Sequence, residues 1–139
     1  MLPRLYYIQA GSKFIYNLKI LDNLRSVTLL TNTFNLPERS RSVVTPAGRL
    51  YILGGFLPLI NHFSRNVFVL DEHRAQLVPK NSFKTGRCDH AVHLYDGKIY
   101  ILGGMGYERG NKLASLNDCE IYNVEQDSWQ SMARFDHKR

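Results

Sequence analysis

The chain has 139 residues, of which 44% are hydrophobic and 22% charged, and its formal net charge is +6, from 18 Lys and Arg against 12 Asp and Glu. The hydrophobic share is that of a compact folded unit, and two cysteines, Cys88 and Cys119, without a paired-Cys motif exclude a disulfide-dense framework. The first residues lack a charged segment followed by an apolar core, and no apolar run approaches a membrane span, so neither leader nor membrane anchor is predicted.

Taken in chain order, Arg4 to Gly11 reads as a strand that ends in Ala10-Gly11. Residues 14–18 and 26–30 read as two further strands, each rich in Val, Ile, Leu or Tyr. Next comes Arg39-Ser40-Arg41-Ser42-Val43-Val44, a turn at Ala47-Gly48, and the strand Arg49-Leu50-Tyr51-Ile52-Leu53 running into Gly54-Gly55. Asn66 to Asp71 forms another strand, and Leu77 follows Leu70 by seven residues. The order then repeats: Arg87-Cys88-Asp89-His90-Ala91-Val92, a turn at Asp96-Gly97, and Lys98-Ile99-Tyr100-Ile101-Leu102 running into Gly103-Gly104. Residues 105–113 make a longer exit that belongs on a surface edge. Leu116 to Asn123 closes the pattern, with Trp129 seven residues after Tyr122. Ser131-Met132-Ala133 leads out, and Arg139 stands ten residues after Trp129 as Arg87 stands ten after Leu77, so the chain is expected to stop where another unit would start.

Residues 49–55 thus return at 98–104, 49 positions later. Arg39 lies nine positions before Gly48 and Arg87 ten before Gly97, which pairs the two arginines and reads one residue as missing from the first copy. Paired glycines at a strand end permit positive φ and close backbone approach. The wide rings of Tyr51, Tyr100, Tyr122 and Trp129 are expected to fill the gap between adjacent twisted sheets.

A repeat near fifty residues built on a strand ending in Gly-Gly resembles the kelch-repeat family. The resemblance covers residues 38–132 well and 4–30 weakly, with Leu70 and Leu77 standing where the family has Tyr and Trp. It implies an all-β fold of kelch-type β-propeller blades in a single partial propeller domain. A degenerate three-stranded blade occupies 4–37, four-stranded repeats occupy 38–83 and 84–132, and 133–139 is the start of a next blade or a tail. That is about eleven strands with no sustained helical periodicity. Closed propellers have roughly 4–8 blades, so a piece of a longer propeller is expected, or a unit that completes a ring by pairing with another chain.

The function implied by the resemblance is a non-catalytic protein-interaction module of the substrate-receptor, scaffold or cytoskeletal-adaptor kind. No nucleophile elbow, His-Glu-x-x-His or phosphate-cradling loop is present, so no enzyme is expected. The alternative is a fragment of a kelch-propeller enzyme of the copper-radical oxidase or sugar epimerase type. Arg39, Arg41, Arg87 and His90 are the candidate partner contacts, because basic residues gather before the innermost strands; a protein or an acidic peptide is the partner expected there. Tyr51, Gly54, Gly55, Tyr100, Gly103, Gly104, Tyr122 and Trp129 form the structural signature. Cys88, His90 and His93 lie close together, but His93 alternates to the opposite face, so no metal or cofactor is expected. Nucleic acid is not expected, since neither a groove-filling helix nor an aromatic RNA platform can be read. With few thiols and no Asn-x-Ser/Thr acceptor, the expected setting is cytoplasmic, with a homodimer as the form the chain takes if it is not a fragment.

Overall fold

The computed structural model describes residues 4–9, 11–21, 24–31, 35–108 and 110–132. Strands β1 (Arg4–Ile8), β2 (Phe14–Leu21) and β3 (Leu24–Thr31) form a three-stranded antiparallel sheet. Strands β4 (Arg41–Val44) and β5 (Leu50–Leu53) open the second sheet. The chain then makes a two-stranded ribbon, β6 (Phe56–Leu57) and β7 (His62–Phe63), joined by a 3-10 turn at Pro58–Ile60. Strands β8 (Val67–Asp71) and β9 (Gln76–Lys80) complete that sheet in the order β4-β5-β8-β9. The third sheet repeats the plan. Strands β10 (Ala91–Tyr95) and β11 (Lys98–Leu102) precede a ribbon of β12 (Met105–Glu108) and β13 (Lys112–Ser115), and β14 (Cys119–Asn123) and β15 (Ser128–Ser131) finish the order β10-β11-β14-β15.

The expected all-β fold of stacked blades is what forms, and among the described residues no sheet closes on itself. The two ribbons are the addition. Their strands are two to four residues long, too short to carry the alternation that marks a strand in sequence. The long exit after Gly104 is therefore paired structure rather than open loop, and the first copy has a smaller ribbon of the same kind.

Alternation assigns each face. Leu50 and Ile52 of β5 turn back toward the first sheet and pack with Ile15, Leu36 and Leu70. Tyr51 and Leu53 turn forward and pack, with Val67 and Val69, against Ile99, Ile101 and Tyr122 of the third sheet. Strand β5 is buried on both sides, which is why Leu-Tyr-Ile-Leu shows no polar alternation.

Register corrects the sequence alignment at one point. Two isolated bridges, Glu38 to Phe56 and Cys88 to Met105, occupy the same place in the two copies. Arg39 therefore answers to Asp89, and both hold the left-handed conformation, with φ of 55° and 54°. Arg87 answers to Pro37, so the two arginines are not equivalent. The one-residue difference is an addition to the first copy's turn, where Thr45 N–H donates to Arg49 O at 2.9 Å around Pro46, Ala47 and Gly48. The second copy turns on Asp96-Gly97 alone, with φ of 49° and 72°, the signature of a tight type I′ hairpin. In the first sheet, Gln9 N–H donates to Phe14 O just as Gly54 N–H donates to Asn66 O and Gly103 N–H to Asp118 O. Gln9 thus stands in the place of the first glycine; Ala10 and residues 133–139, Arg139 included, lie outside the described residues.

Gly104 shows why the glycine pairs are needed. Its φ is 91°, and a Cβ there would meet Cys88 O at 2.5 Å and the His90 backbone at 2.9 Å, whereas Gly97, at φ 72°, has open space around it. Gly97→Ala should cost about 1 kcal/mol of backbone strain, and Gly104→Ala about 3 kcal/mol or more as the chain is pushed apart. Urea denaturation of the two variants checks this, and equal losses would show that φ alone matters.

Candidate functional site

The polar residues of the repeat converge at the seam between the second and third sheets. Arg87 lies on the loop between β9 and β10, and its backbone ties that loop to the second sheet. Its N–H donates to Ser64 O at 3.1 Å, and its carbonyl accepts Gly55 N–H at 2.8 Å. Its side chain is fully buried and turns into the third sheet. Nε donates to Thr85 O at 3.1 Å, Nη1 to Gly103 O and Asp118 Oδ1 at 3.0 Å each, and Nη2 to Asp118 Oδ2 and Glu120 Oε2 at 2.9 Å each. All five N–H groups have acceptors, and the guanidinium also lies 5.8 Å from the centre of the Phe83 ring. Glu120, 2% exposed, takes Lys84 N–H at 2.7 Å and Thr85 N–H at 3.4 Å as well.

His90 lies beside this network, 1% exposed. Its Nε2 is 3.1 Å from Leu53 O. A carbonyl can only accept, so Nε2 carries the proton and Nδ1 is the bare nitrogen, buried without a hydrogen-bond partner. Burial, then the nearby cations of Arg87 and Arg41, push the His90 pKa down to about 4. Gly54 makes the approach possible, since a Cβ there would sit 2.9 Å from His90 Cε1 and 2.8 Å from Arg87 O.

Of the four candidate contact residues, Arg87 and His90 are therefore packing residues enclosed in the seam. In sequence Arg87 looks equivalent to Arg39, but its loop position turns the side chain inward. Arg39 and Arg41 remain at the surface. Arg39 Nη2 lies 2.5 Å from Asp89 Oδ2, both side chains well exposed, and this hydrogen bond holds the Asp89 carboxyl below the usual carboxylate range. Arg41 is exposed, with Nη1 3.3 Å from Ser40 O.

The signature rings divide as well. Tyr51 and Tyr122 meet edge to face at 6.0 Å, Tyr122 lies 4.9 Å from Trp129, and Phe83 lies 5.4 Å from Trp129. Their polar tips are held too: Tyr122 Oη donates to Asp127 Oδ1 at 2.6 Å and Trp129 Nε1 donates to Asn81 O at 2.8 Å. Burial and the Asp127 hydrogen bond both raise the Tyr122 pKa. Tyr100, the repeat of Tyr51, takes the same forward face one sheet on and so lies on the opposite side of β11 from this seam, because Ile99 and Ile101 turn toward the second sheet. Phe83, Asp118 and Glu120 escaped the sequence reading. The signal was there in Glu120, an acid inside the apolar run Cys119 to Tyr122, which calls for a buried cation.

Both thiols are buried and free, and burial raises the pKa of each. Among the described residues no group of three His, Cys, Asp or Glu side chains could hold a metal ion, and no helix is long and apolar enough to cross a membrane. A cleft of about 660 Å³ opens beside Asp118, which lines it together with Lys84, Tyr107, Glu108 and Leu116 among others.

The family model for the Kelch motif matches residues 86–135, so the expected kelch resemblance holds over the third sheet and its approach loop. Comparison with curated proteins gives no match. Among solved structures the chain is similar to one described as the structure of YjhT, with a TM-score of 0.73 and 12% identity over 97% of this chain and 51% of that one. It is also similar to a novel fungal alcohol oxidase of the AA5 family in complex with copper, with a TM-score of 0.68 and 17% identity over 94% of this chain and 29% of that one. At these identities the likeness is one of fold. The chain spans about half the length of the first and under a third of the second.

Removing Arg87 would leave Glu120 buried without its cation. Arg87→Ala should lose about 3–5 kcal/mol of stability, while Arg39→Ala leaves the denaturation midpoint unchanged, as fits an exposed pair. For His90 the unfolded chain takes up a proton at a higher pH than the folded one. Stability is therefore full above pH 6.5 and declines as the pH falls toward 4, by up to about 3 kcal/mol from this residue. Chemical denaturation between pH 7 and 4 should show that His90→Gln flattens this part of the slope.

Proposed function

We propose that this chain is a non-catalytic protein-interaction module, and that it takes an acidic or phosphorylated peptide segment at the basic surface around Arg39 and Arg41. The observation that carries this reading is the division of labour among the arginines. Arg87 is consumed by packing, whereas Arg39 and Arg41 stand together at the surface where the second sheet's inner strand begins. Asp89 already shows what Arg39 binds: a carboxylate, through Nε and Nη2 together. Because that pair is exposed, a partner's carboxylate or phosphate can take the place of Asp89 at small cost. A net charge of +6 assists the approach of such a segment. A cytoplasmic scaffold or substrate receptor is the setting that fits this reading.

The test is fluorescence anisotropy with a labelled oligoglutamate and a labelled phosphoserine peptide. Arg39→Ala with Arg41→Ala should weaken binding at least about tenfold, added salt should weaken it further, and Asp89→Asn, which frees Arg39, should strengthen it a few-fold. Binding undiminished in the double arginine variant would contradict the assignment.

A further inference from the structure

The first and second sheets each have a forward face that the next sheet covers. The forward face of the first, Tyr6, Ile8 and Ile15, lies against Leu50, Ile52 and Leu70 of the second. The forward face of the second, Tyr51, Leu53, Val67 and Val69, is at most 3% exposed because Ile99, Ile101 and Tyr122 of the third lie on it. By the repeat, the third sheet carries the same face again. Tyr100 and Leu102 stand 49 positions after Tyr51 and Leu53, and Ile121 pairs with Tyr100 as Val69 pairs with Tyr51. No described sheet covers it: Tyr100, Leu102 and Ile121 are half-buried, and Tyr95, on the same face, is 64% exposed. At the other end, described side chains on the backward face of the first sheet are also exposed. Tyr7 is 54% and Phe14 37% exposed, with Tyr7 and Tyr16 in contact at 5.7 Å between ring centres.

The geometry points to a head-to-tail pair of two copies of this chain, in which the forward face of each third sheet seats on the backward face of the other copy's first sheet. The open forward face has the same make-up as one that, inside the chain, already binds a sheet. A contact between two unlike faces closes into a ring when the rotation allows it, and otherwise runs on as an open chain. Two copies bring six sheets together, within the roughly 4–8 blades over which propellers close. Length is in keeping with this: 97% of this chain matches 51% of the YjhT chain, so two copies together have about the length of that one. Closure would cover both apolar faces, whose exposure otherwise drives uncontrolled association. This inference is independent of the peptide-binding reading.

Light scattering on the purified chain tests it. The expected mass is twice the 16.1 kDa of one chain, in a single species. Tyr95→Lys and Ile121→Lys on the forward face, and Tyr7→Lys on the backward face, should each weaken the pair at least about tenfold with an unchanged circular dichroism spectrum. Tyr95 and Tyr7 are already more than half exposed, so those two variants remain folded even if Ile121→Lys does not. Mixing Tyr95→Lys with Tyr7→Lys should restore dimer, because one of the two seams in the mixed pair is then untouched. A monomer, a polydisperse series of larger species, or a dimer indifferent to both tyrosine substitutions would overturn the proposal.

Discussion

A guanidinium taken out of water must find an acceptor for every N–H and a counter-charge, or it costs several kcal/mol. Arg87 meets both demands, and the rest of the seam is arranged around it. Its side chain holds the end of β11 through Gly103 O and the approach to β14 through Asp118 and Glu120. Its backbone meanwhile reaches back to Ser64 and Gly55 of the second sheet. One residue therefore fastens a loop to its own sheet by charge and to the preceding sheet by the main chain. Glycine at position 54 follows from this, since a Cβ there would collide with Arg87 O and His90, whereas Gly55 leaves room for Pro37 and Glu38 on the segment leading into β4.

Below the charged network the seam is apolar. Tyr51, Tyr122, Trp129 and Phe83 fill it with rings inclined to one another, and the polar tips of Tyr122 and Trp129 are tied to Asp127 and Asn81. His90 is the exception, with one nitrogen bonded and one bare. An unpaired acceptor in such a place costs stability, and it is also what makes the seam sensitive to acid. The first seam, between sheets one and two, is tied by Tyr6 Oη, which donates to Glu72 Oε1, and is otherwise more apolar. Leu70 and Leu77 stand where Tyr122 and Trp129 stand in the other copy, Pro37 stands where Arg87 does, and packing is left to Ile15, Leu36, Leu50 and Ile52. The matched family model, which covers only residues 86–135, tracks the same difference in residues.

The sheets were legible because a strand buried on both faces and ended by two glycines is a pattern few other structures produce. Tyr-Ile-Leu-Gly-Gly, read twice, gave their order and their faces once alternation was applied. What escaped had local causes. The ribbons at Phe56 to Phe63 and Met105 to Ser115 are held by pairing too short to leave a periodic trace. Arg39 and Arg87 look aligned because a residue added in the turn at 46–48 cannot be told, in letters alone, from one lost before β4. That slip carried through to the site: it made Arg87 a surface contact, when its true counterpart is Pro37 and the true counterpart of Arg39 is Asp89.

The seam between the second and third sheets should behave as one cooperative unit held through Arg87. Native-state amide hydrogen exchange on Gly55 N–H and Arg87 N–H, two of the backbone donors that cross that seam, tests this most directly. Both should exchange only through the same opening that releases the amides of β5 and β11. If instead the two seam amides open at a far lower free energy while β5 and β11 stay protected, the sheets are separate units and Arg87 does not join them.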